Sequence, residues 1–191
     1  MIYAGYSQKS STDEQYTPAY AVAPIVKYIP KNKIVWCPFD TEHSEFVLAL
    51  RDAGIKVVYS HIRTGEDFFT YEPGRWDMIV SNPPFSIKQQ VVERCLALDK
   101  PFALLLSNLW LNSSAPARLF SDKEMQILLF DKRIQFTKQN AAYFGSSYFC
   151  YKVLPRQIIF ENLKVDKSLS RMHGDVQAIM DLFTKHKENE T

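Results

Sequence analysis

Apolar and polar positions along the chain alternate in blocks of two kinds. Short apolar runs without helical spacing fall at 33–39 (KIVWCPF) and 56–62 (KVVYSHI), and both read as buried strands. The segment between them, 41–53, brings Phe46, Val47, Leu50 and Ala53 to one side of a helix, and Gly54 supplies the stop. Strand, helix and strand in so short a span make a βαβ unit. Further strands are expected within 76–85, centred on 77–80, and at 101–107, 125–130 and 148–154. The run at 158–160 either extends the sheet or pairs at its edge. Helices are expected over 18–29, with Thr17 as N-cap, Pro18 at the first helical position and Pro30 as terminator, and over 87–98. A third, over 172–185, is amphipathic, with Met172, Met180 and Leu182 on its packing face. Residues 1–14 are polar and read as a flexible lead-in to a single domain spanning 15–191, whose last residues, 186–191, form a tail. Alternating βα units specify an α/β architecture: a doubly wound, mostly parallel sheet with helices on both faces, right-handed crossovers and a C-terminal helix.

Composition adds boundaries to this picture. With 46% hydrophobic and 23% charged residues, the 191-residue chain is globular rather than disordered. Its most apolar stretch, 101–111, is broken by Ser107 and Asn108, so no membrane span is expected. The N-terminus lacks the apolar core of a signal peptide. Cys37, Cys95 and Cys150 are widely spaced and odd in number, giving neither a disulfide framework nor a metal pattern, which suits a reducing cytoplasm. Net charge is +2, which by itself selects no partner. Between Lys132 and Arg171, however, eight basic residues face two acidic ones. Such a tract either binds phosphates, through Lys132, Arg133, Lys138 and Lys152, or is a solvated face. Tyr143, Phe144, Tyr148 and Phe149 lie within it and either hold a splayed strand of nucleic acid or belong to the core, the latter favoured for Phe149.

Ligands of doubly wound sheets bind beyond the carboxyl ends of the strands. That directs attention to 38–42, 60–61, 67–68 and 81–85. The last of these, Ser81-Asn82-Pro83-Pro84-Phe85, carries the most specific chemistry. Two prolines fix the backbone and remove two N–H donors, and Pro83 keeps Asn82 out of helical geometry. The turn therefore presents one carboxamide, donor-free carbonyls and an aromatic face, a set able to accept hydrogen bonds from an amino group. The plain alternative is an ordinary turn, since Asn-Pro and Pro-Pro are common turn dipeptides.

Asn82-Pro83-Pro84-Phe85 resembles the catalytic (D/N)PP(Y/F) motif of class I amino-group methyltransferases that use S-adenosylmethionine, most of which act on the exocyclic amine of adenine in DNA or RNA. The resemblance runs over about 15–155 in the order of the gamma arrangement and implies a Rossmann-like, seven-stranded sheet whose final antiparallel strand is 148–154. Tyr16-Thr17-Pro18 is similar to the element that holds the cofactor's methionine end. Pro38-Phe39 matches the family's PF. Asp67-Phe68 matches its DF, in which the acid binds the cofactor adenine and the aromatic lies on the ring. His61 falls where the family places a ribose-binding acid, though a satisfied loop histidine explains it equally well. The resemblance implies transfer of the cofactor's methyl group to adenine N6, with Asn82 Oδ1 and the Pro83 carbonyl accepting hydrogen bonds from the amine and Phe85 stacking on the base.

Two departures stand out. The family's (D/E)PFxGxG loop reads Cys37-Pro38-Phe39-Asp40-Thr41-Glu42-His43, with Thr41 and His43 at the glycine positions. Either Asp40 or Glu42 then faces the cofactor ammonium and Thr41 caps the following helix, or the cofactor binds poorly; His43 is a surface helix residue. The chain also has no room for a target-recognition domain, so it reads little sequence by itself or relies on a protein partner. RNA adenine and protein glutamine remain alternative targets, and a non-catalytic binding module with a degenerate cofactor loop is a third reading. Asp67 as a turn cap and Phe68 as plain core are likewise open.

Overall fold

In the computed structural model, which describes residues 17–136 and 144–164, seven strands pair into one sheet. They are β1 Ile34–Cys37, β2 Lys56–Tyr59, β3 Met78–Ser81, β4 Phe102–Ser107, β5 Gln126–Phe130, β6 Ser146–Tyr151 and β7 Ile158–Glu161, in the order β2-β1-β3-β4-β6-β5-β7. β1 runs parallel to β2 and β3, β3 to β4, and β5 to β7. β6 lies antiparallel between β4 and β5. The expected α/β, mostly parallel sheet is thus the observed one.

Side chains alternate between two cores, one on each face. Helices α1 Ala19–Val26 and α2 Glu45–Asp52 cover the first, placing Ala21, Val22, Ile25, Phe46, Val47 and Leu50 on the sheet. Helices α3 Lys88–Ala97 and α4 Ser114–Leu119 cover the second, around Trp36, Ile79, Leu104, Leu106 and Phe149. With both faces covered, β3, β4 and β6 are buried at every position, as strands between two helical layers should be. Cys37, Cys95 and Cys150 are buried free thiols inside these cores. No helix among the described residues is long and apolar enough to cross a membrane.

Several element ends differ from the sequence expectation, each for a local reason. Pro18 is the N-cap of α1, not its first helical residue, and Thr17 makes no cap. The helix closes at Val26, ahead of Pro30, because Tyr28 and Ile29 donate to the carbonyls of Ile25 and Val26 and tighten the last turn. α2 starts at Glu45 rather than 41: Thr41 N–H donates to Ser44 Oγ while Ser44 N–H donates to the Thr41 carbonyl, so a closed turn precedes the helix. Ser44, not Thr41, is the cap residue, and His43 sits in that turn instead of on the helix. The strand expected at 148–154 spans 146–151 and is not the last, since β7 follows it at the sheet edge. It stops where Lys152 takes a positive φ of 56°. Beyond that point Val153 and Leu154 donate to Gln126 Oε1, both at 2.9 Å, in place of a ladder partner. α4 had no signal, being six residues without apolar periodicity. The lead-in 1–14 and the helix expected at 172–185 lie outside the described residues.

Candidate functional site

The parallel strands β1 to β4 end side by side, and the segments leaving them form the candidate site. The ladder continues past β1 and β2: Ser60 N–H donates to the Cys37 carbonyl at 3.1 Å, and Asp40 N–H donates to the Ser60 carbonyl at 3.2 Å. Trp36 Nε1 donates to Ser60 Oγ at 2.9 Å and fixes that hydroxyl below the loop. These bonds fold the loop after β1 inward at Asp40, which is only 7% exposed. Thr41, Glu42 and His43, at the positions where a glycine loop was sought, are exposed.

Asp40 carries the most perturbed acid of this edge. Its carboxylate accepts from Ser81 Oγ at 2.5 Å and is also hydrogen-bonded by Ser44. Burial raises its pKa from 3.8 to about 6, against the opposing pull of those two hydroxyls. No cation among the described residues pairs with it. The groups facing it are the Cys37 thiol and the Tyr148 phenol, both pushed well above their ordinary range, chiefly by burial, and so neutral beside it.

Ser81 closes β3, and the next residue is Asn82. Asn82 Nδ2 donates to Thr17 Oγ1 at 3.1 Å, which joins the catalytic-type turn to the residue leading into α1. Thr17 is itself 7% exposed, so this contact is sheltered. The carboxamide oxygen is the end turned away from the threonine. Past the two prolines the chain makes a 3-10 turn over Phe85–Ile87, with Pro84 in extended geometry (φ −54°, ψ 130°). Lys88 Nζ donates to the Phe85 carbonyl at 2.8 Å and stiffens the exit. Phe85 is half-buried and packs nearly perpendicular to Phe136 and Phe144, at centroid separations of 6.2 and 5.7 Å.

Beside Phe85 lies an open cleft of about 510 Å³, lined by Phe85, Lys88, Gln89, Ser107, Leu109 and Phe144 among others, with no acidic residue among the described residues of its wall. Its far side is the 3-10 segment Asn108–Asn112 that follows β4. Sequence reasoning missed this wall. A signal was present, because Ser107-Asn108 at the end of β4 repeats the Ser81-Asn82 dipeptide at the end of β3.

The other expected site residues take different positions. Pro38 is buried and Phe39 half-buried at the loop that carries Asp40. His61 accepts a hydrogen bond from Arg63 N–H through Nδ1 at 3.1 Å and caps the short turn Ile62–Thr64. Asp67 Oδ1 accepts from Phe69 N–H at 3.0 Å, which makes Asp67 a turn cap. Phe68 is 2% exposed, packed on Trp36 at 5.3 Å and Phe39 at 5.0 Å, and is core in this arrangement. Tyr16 lies outside the described residues.

The basic tract does not form one surface. Lys132 and Arg133 follow the carboxyl end of β5, on the edge that bears Asn82. Lys152 follows β6, which runs the other way, so it emerges at the opposite edge, paired with Asp99 at 2.9 Å. Tyr148 is a correction: it is fully buried in β6, and its hydroxyl donates to the Ala21 carbonyl at 2.9 Å, out of reach of any nucleic acid. Lys138 lies outside the described residues.

No family model matches the chain, and no curated protein matches it. Solved structures similar at low identity include the following two. One is described as a "predicted O-methyltransferase, protein Atu636 from Agrobacterium tumefaciens", at 9% identity and a TM-score of 0.42, covering 76% of this chain and 84% of that one. The other is a "putative class I S-adenosylmethionine-dependent methyltransferase" from Listeria monocytogenes, at 13% identity and a TM-score of 0.44, covering 91% and 72%. The functional reading therefore comes from the chain's own residues.

Proposed function

We propose that the chain transfers the methyl group of S-adenosylmethionine to the exocyclic N6 amine of adenine in DNA. The observation that carries this reading is the Asn82-Pro83-Pro84-Phe85 turn, anchored through Asn82 to Thr17, with Phe85 on the wall of an open cleft.

The cofactor fits one further observation. Among the described residues Asp40 is a buried carboxylate supported by the Ser81 and Ser44 hydroxyls, a position that would suit the ammonium of the cofactor's methionine end. Thr17, Pro38, Phe39 and Asp40 are the residues that would hold that end, with His61 and Asp67 toward the nucleoside, while Phe68 is buried beneath Phe39. When bound, the group supplies a methyl already activated on sulfonium.

The protein's part is placement and charge stabilisation. The adenine amine is a weak nucleophile because its lone pair is delocalised into the ring. Hydrogen bonds from the amine to Asn82 Oδ1 and the Pro83 carbonyl favour a pyramidal nitrogen and stabilise the positive charge that develops on it. No strong base is needed, consistent with a turn that contains none. Phe85, held in near-perpendicular contact with Phe136 and Phe144, is the aromatic that would pack on the base. Lys132 and Arg133 on the same edge attract phosphate.

The test is transfer of labelled methyl to single-stranded DNA, duplex DNA and RNA by wild type and Asn82→Ala, followed by identification of the product base. N6-methyladenine in DNA, reduced roughly 10²–10³-fold by the substitution, is expected. Label in RNA alone would move the target. No label, with no cofactor binding by calorimetry, would leave a binding module and defeat the proposal.

A further inference from the structure

We propose that Thr17 links the cofactor site to the catalytic turn through its single hydroxyl proton. When the carboxylate of the cofactor's methionine end takes that proton, the hydroxyl can only accept, and Asn82 is held with its carboxamide oxygen toward the target amine. The inference rests on the methyl-transfer reading above and deepens it by naming what makes the turn competent, namely a cofactor bound first.

A hydroxyl carries one proton and two lone pairs, and a carboxamide carries a donor end and an acceptor end. Thr17 Oγ1 accepts from Asn82 Nδ2 at 3.1 Å, which spends a lone pair and leaves the proton. Among the described residues nothing accepts that proton. Thr17 is 7% exposed, so the unspent donor is sheltered from bulk water. A hydroxyl with a spare proton holds an amide either way round, because it donates to Oδ1 as readily as it accepts from Nδ2. In the second arrangement Asn82 would present N–H to an incoming amine, donor against donor. A hydroxyl whose proton is committed elsewhere fixes the productive arrangement.

One dipeptide joins Thr17 to the acid that suits the ammonium. Ser81 Oγ donates to Asp40 at 2.5 Å, and the next residue, Asn82, donates to Thr17. The methionine end carries its ammonium and its carboxylate on one carbon. With the ammonium at Asp40, the carboxylate needs a donor near Ser81-Asn82, and Thr17 Oγ1–H offers one that is sheltered and unspent. The support behind Thr17 is rigid. Pro18 caps α1, and Ala21 N–H donates to the Pro18 carbonyl at 2.9 Å. The Ala21 carbonyl in turn accepts from the buried Tyr148 hydroxyl at 2.9 Å. Tyr20 Oη accepts from Gln135 N–H at 2.8 Å, and the following residue, Phe136, packs on Phe85. The start of α1 therefore braces both functional side chains of the turn, Asn82 through Thr17 and Phe85 through Phe136. On so fixed a support, committing the proton sets the Asn82 amide rather than moving Thr17.

The experiment measures binding, not turnover. Anisotropy of a labelled single-stranded oligo-dA is followed with wild type, Thr17→Val and Thr17→Ser. Each is titrated alone, with saturating S-adenosylhomocysteine, and with 5′-methylthioadenosine, which lacks the methionine end. S-adenosylhomocysteine is expected to tighten oligo-dA binding about tenfold in wild type and Thr17→Ser, and less than about twofold in Thr17→Val. Methylthioadenosine should tighten none of them. A strand of purine deoxynucleotides, which lack the 6-amine, should show no tightening with wild type. A thermal melt checks that Thr17→Val is folded, and the serine variant carries the test if it is not. Tightening that survives in Thr17→Val, is matched by methylthioadenosine, persists on the purine strand or is lost in Thr17→Ser would overturn the link. Cofactor binding by calorimetry without any tightening in wild type overturns the link and leaves the reaction standing. No cofactor binding defeats the reaction itself, and the link with it.

Discussion

Replacing Asp40 with Asn should make the cofactor-free protein more stable and its cofactor complex weaker, with both effects controlled by one titration. Asp40 is 7% exposed, and burial pushes its pKa up from the ordinary 3.8 to about 6. A difference of about two units corresponds to roughly 3 kcal/mol between the charged and neutral forms. The sign follows from proton binding. Between about pH 4 and pH 6 the folded state holds a proton that the unfolded chain has released. The stability Asp40 contributes is therefore fully present below the unfolded pKa and lost as pH rises through about 6. Near pH 8 the native carboxylate is charged and costs the fold about 3 kcal/mol, which the neutral amide avoids. Asn keeps one acceptor for the Ser81 hydroxyl, so allowing about 1 kcal/mol for a poorer hydrogen bond, the net gain is about 2 kcal/mol at pH 8. The gain should shrink toward zero or below as pH falls to about 4. Urea denaturation of both proteins across that range measures it. Cofactor affinity by calorimetry should move the other way, dropping about tenfold or more in Asp40→Asn at pH 8 and much less at pH 5. Cys37 and Tyr148 stay neutral throughout, so neither supplies a competing titration. Stability curves that run parallel at every pH would refute the buried-charge argument. Unchanged affinity would refute the ammonium assignment alone.

Other expectations are simpler. Tyr148→Phe removes the hydroxyl that donates to the Ala21 carbonyl and should cost about 1 kcal/mol in a thermal or urea melt while leaving nucleic-acid affinity unchanged. A loss of affinity at constant stability would contradict its buried placement. Leu104→Ala opens a cavity in the middle of fully buried β4 and should cost about 2–5 kcal/mol, read as a shift in denaturation midpoint at constant slope.

What could be read in the sequence was what depends on near neighbours. Strands such as 102–107 announce themselves as apolar runs because helices cover both faces of the sheet. The Asn82 turn is visible because two prolines leave a chemical mark at adjacent positions. Partnerships between distant residues left no such mark. Thr17 reads as a helix cap, since Thr-Pro is a cap signature, yet its hydroxyl serves Asn82, 65 positions away. The cleft wall was hidden because Ser107-Asn108 has the position of Ser81-Asn82 without its prolines. The basic tract looked continuous because sequence distance conceals strand direction. β6 carries the chain across the sheet, so Lys132 and Lys152 leave at opposite edges. Tyr148 looked available for a ligand because SSYFCY shows no alternation. The lack of alternation reflects burial between β4 and β5 with a core on each side.

These long-range contacts tie the two halves of the candidate site together. Asp40 comes from the loop after β1 and Asn82 from the turn after β3, and the Ser81 hydroxyl connects them through adjacent backbone. Thr17 then fixes the Asn82 amide from the approach to α1. A cation arriving at Asp40 would hold the carboxylate ionised and keep Ser81 donating to it. A proton arriving instead would turn Asp40 into a donor and allow the Ser81 hydroxyl to rotate. The state of Asp40 thus bears on the backbone from which the Asn82 carboxamide projects. Loss of the buried charge and loss of the cofactor ammonium should therefore act on the same turn, which is why the differences between wild type and Asp40→Asn in stability and in cofactor affinity are both expected to shrink as pH falls below about 6.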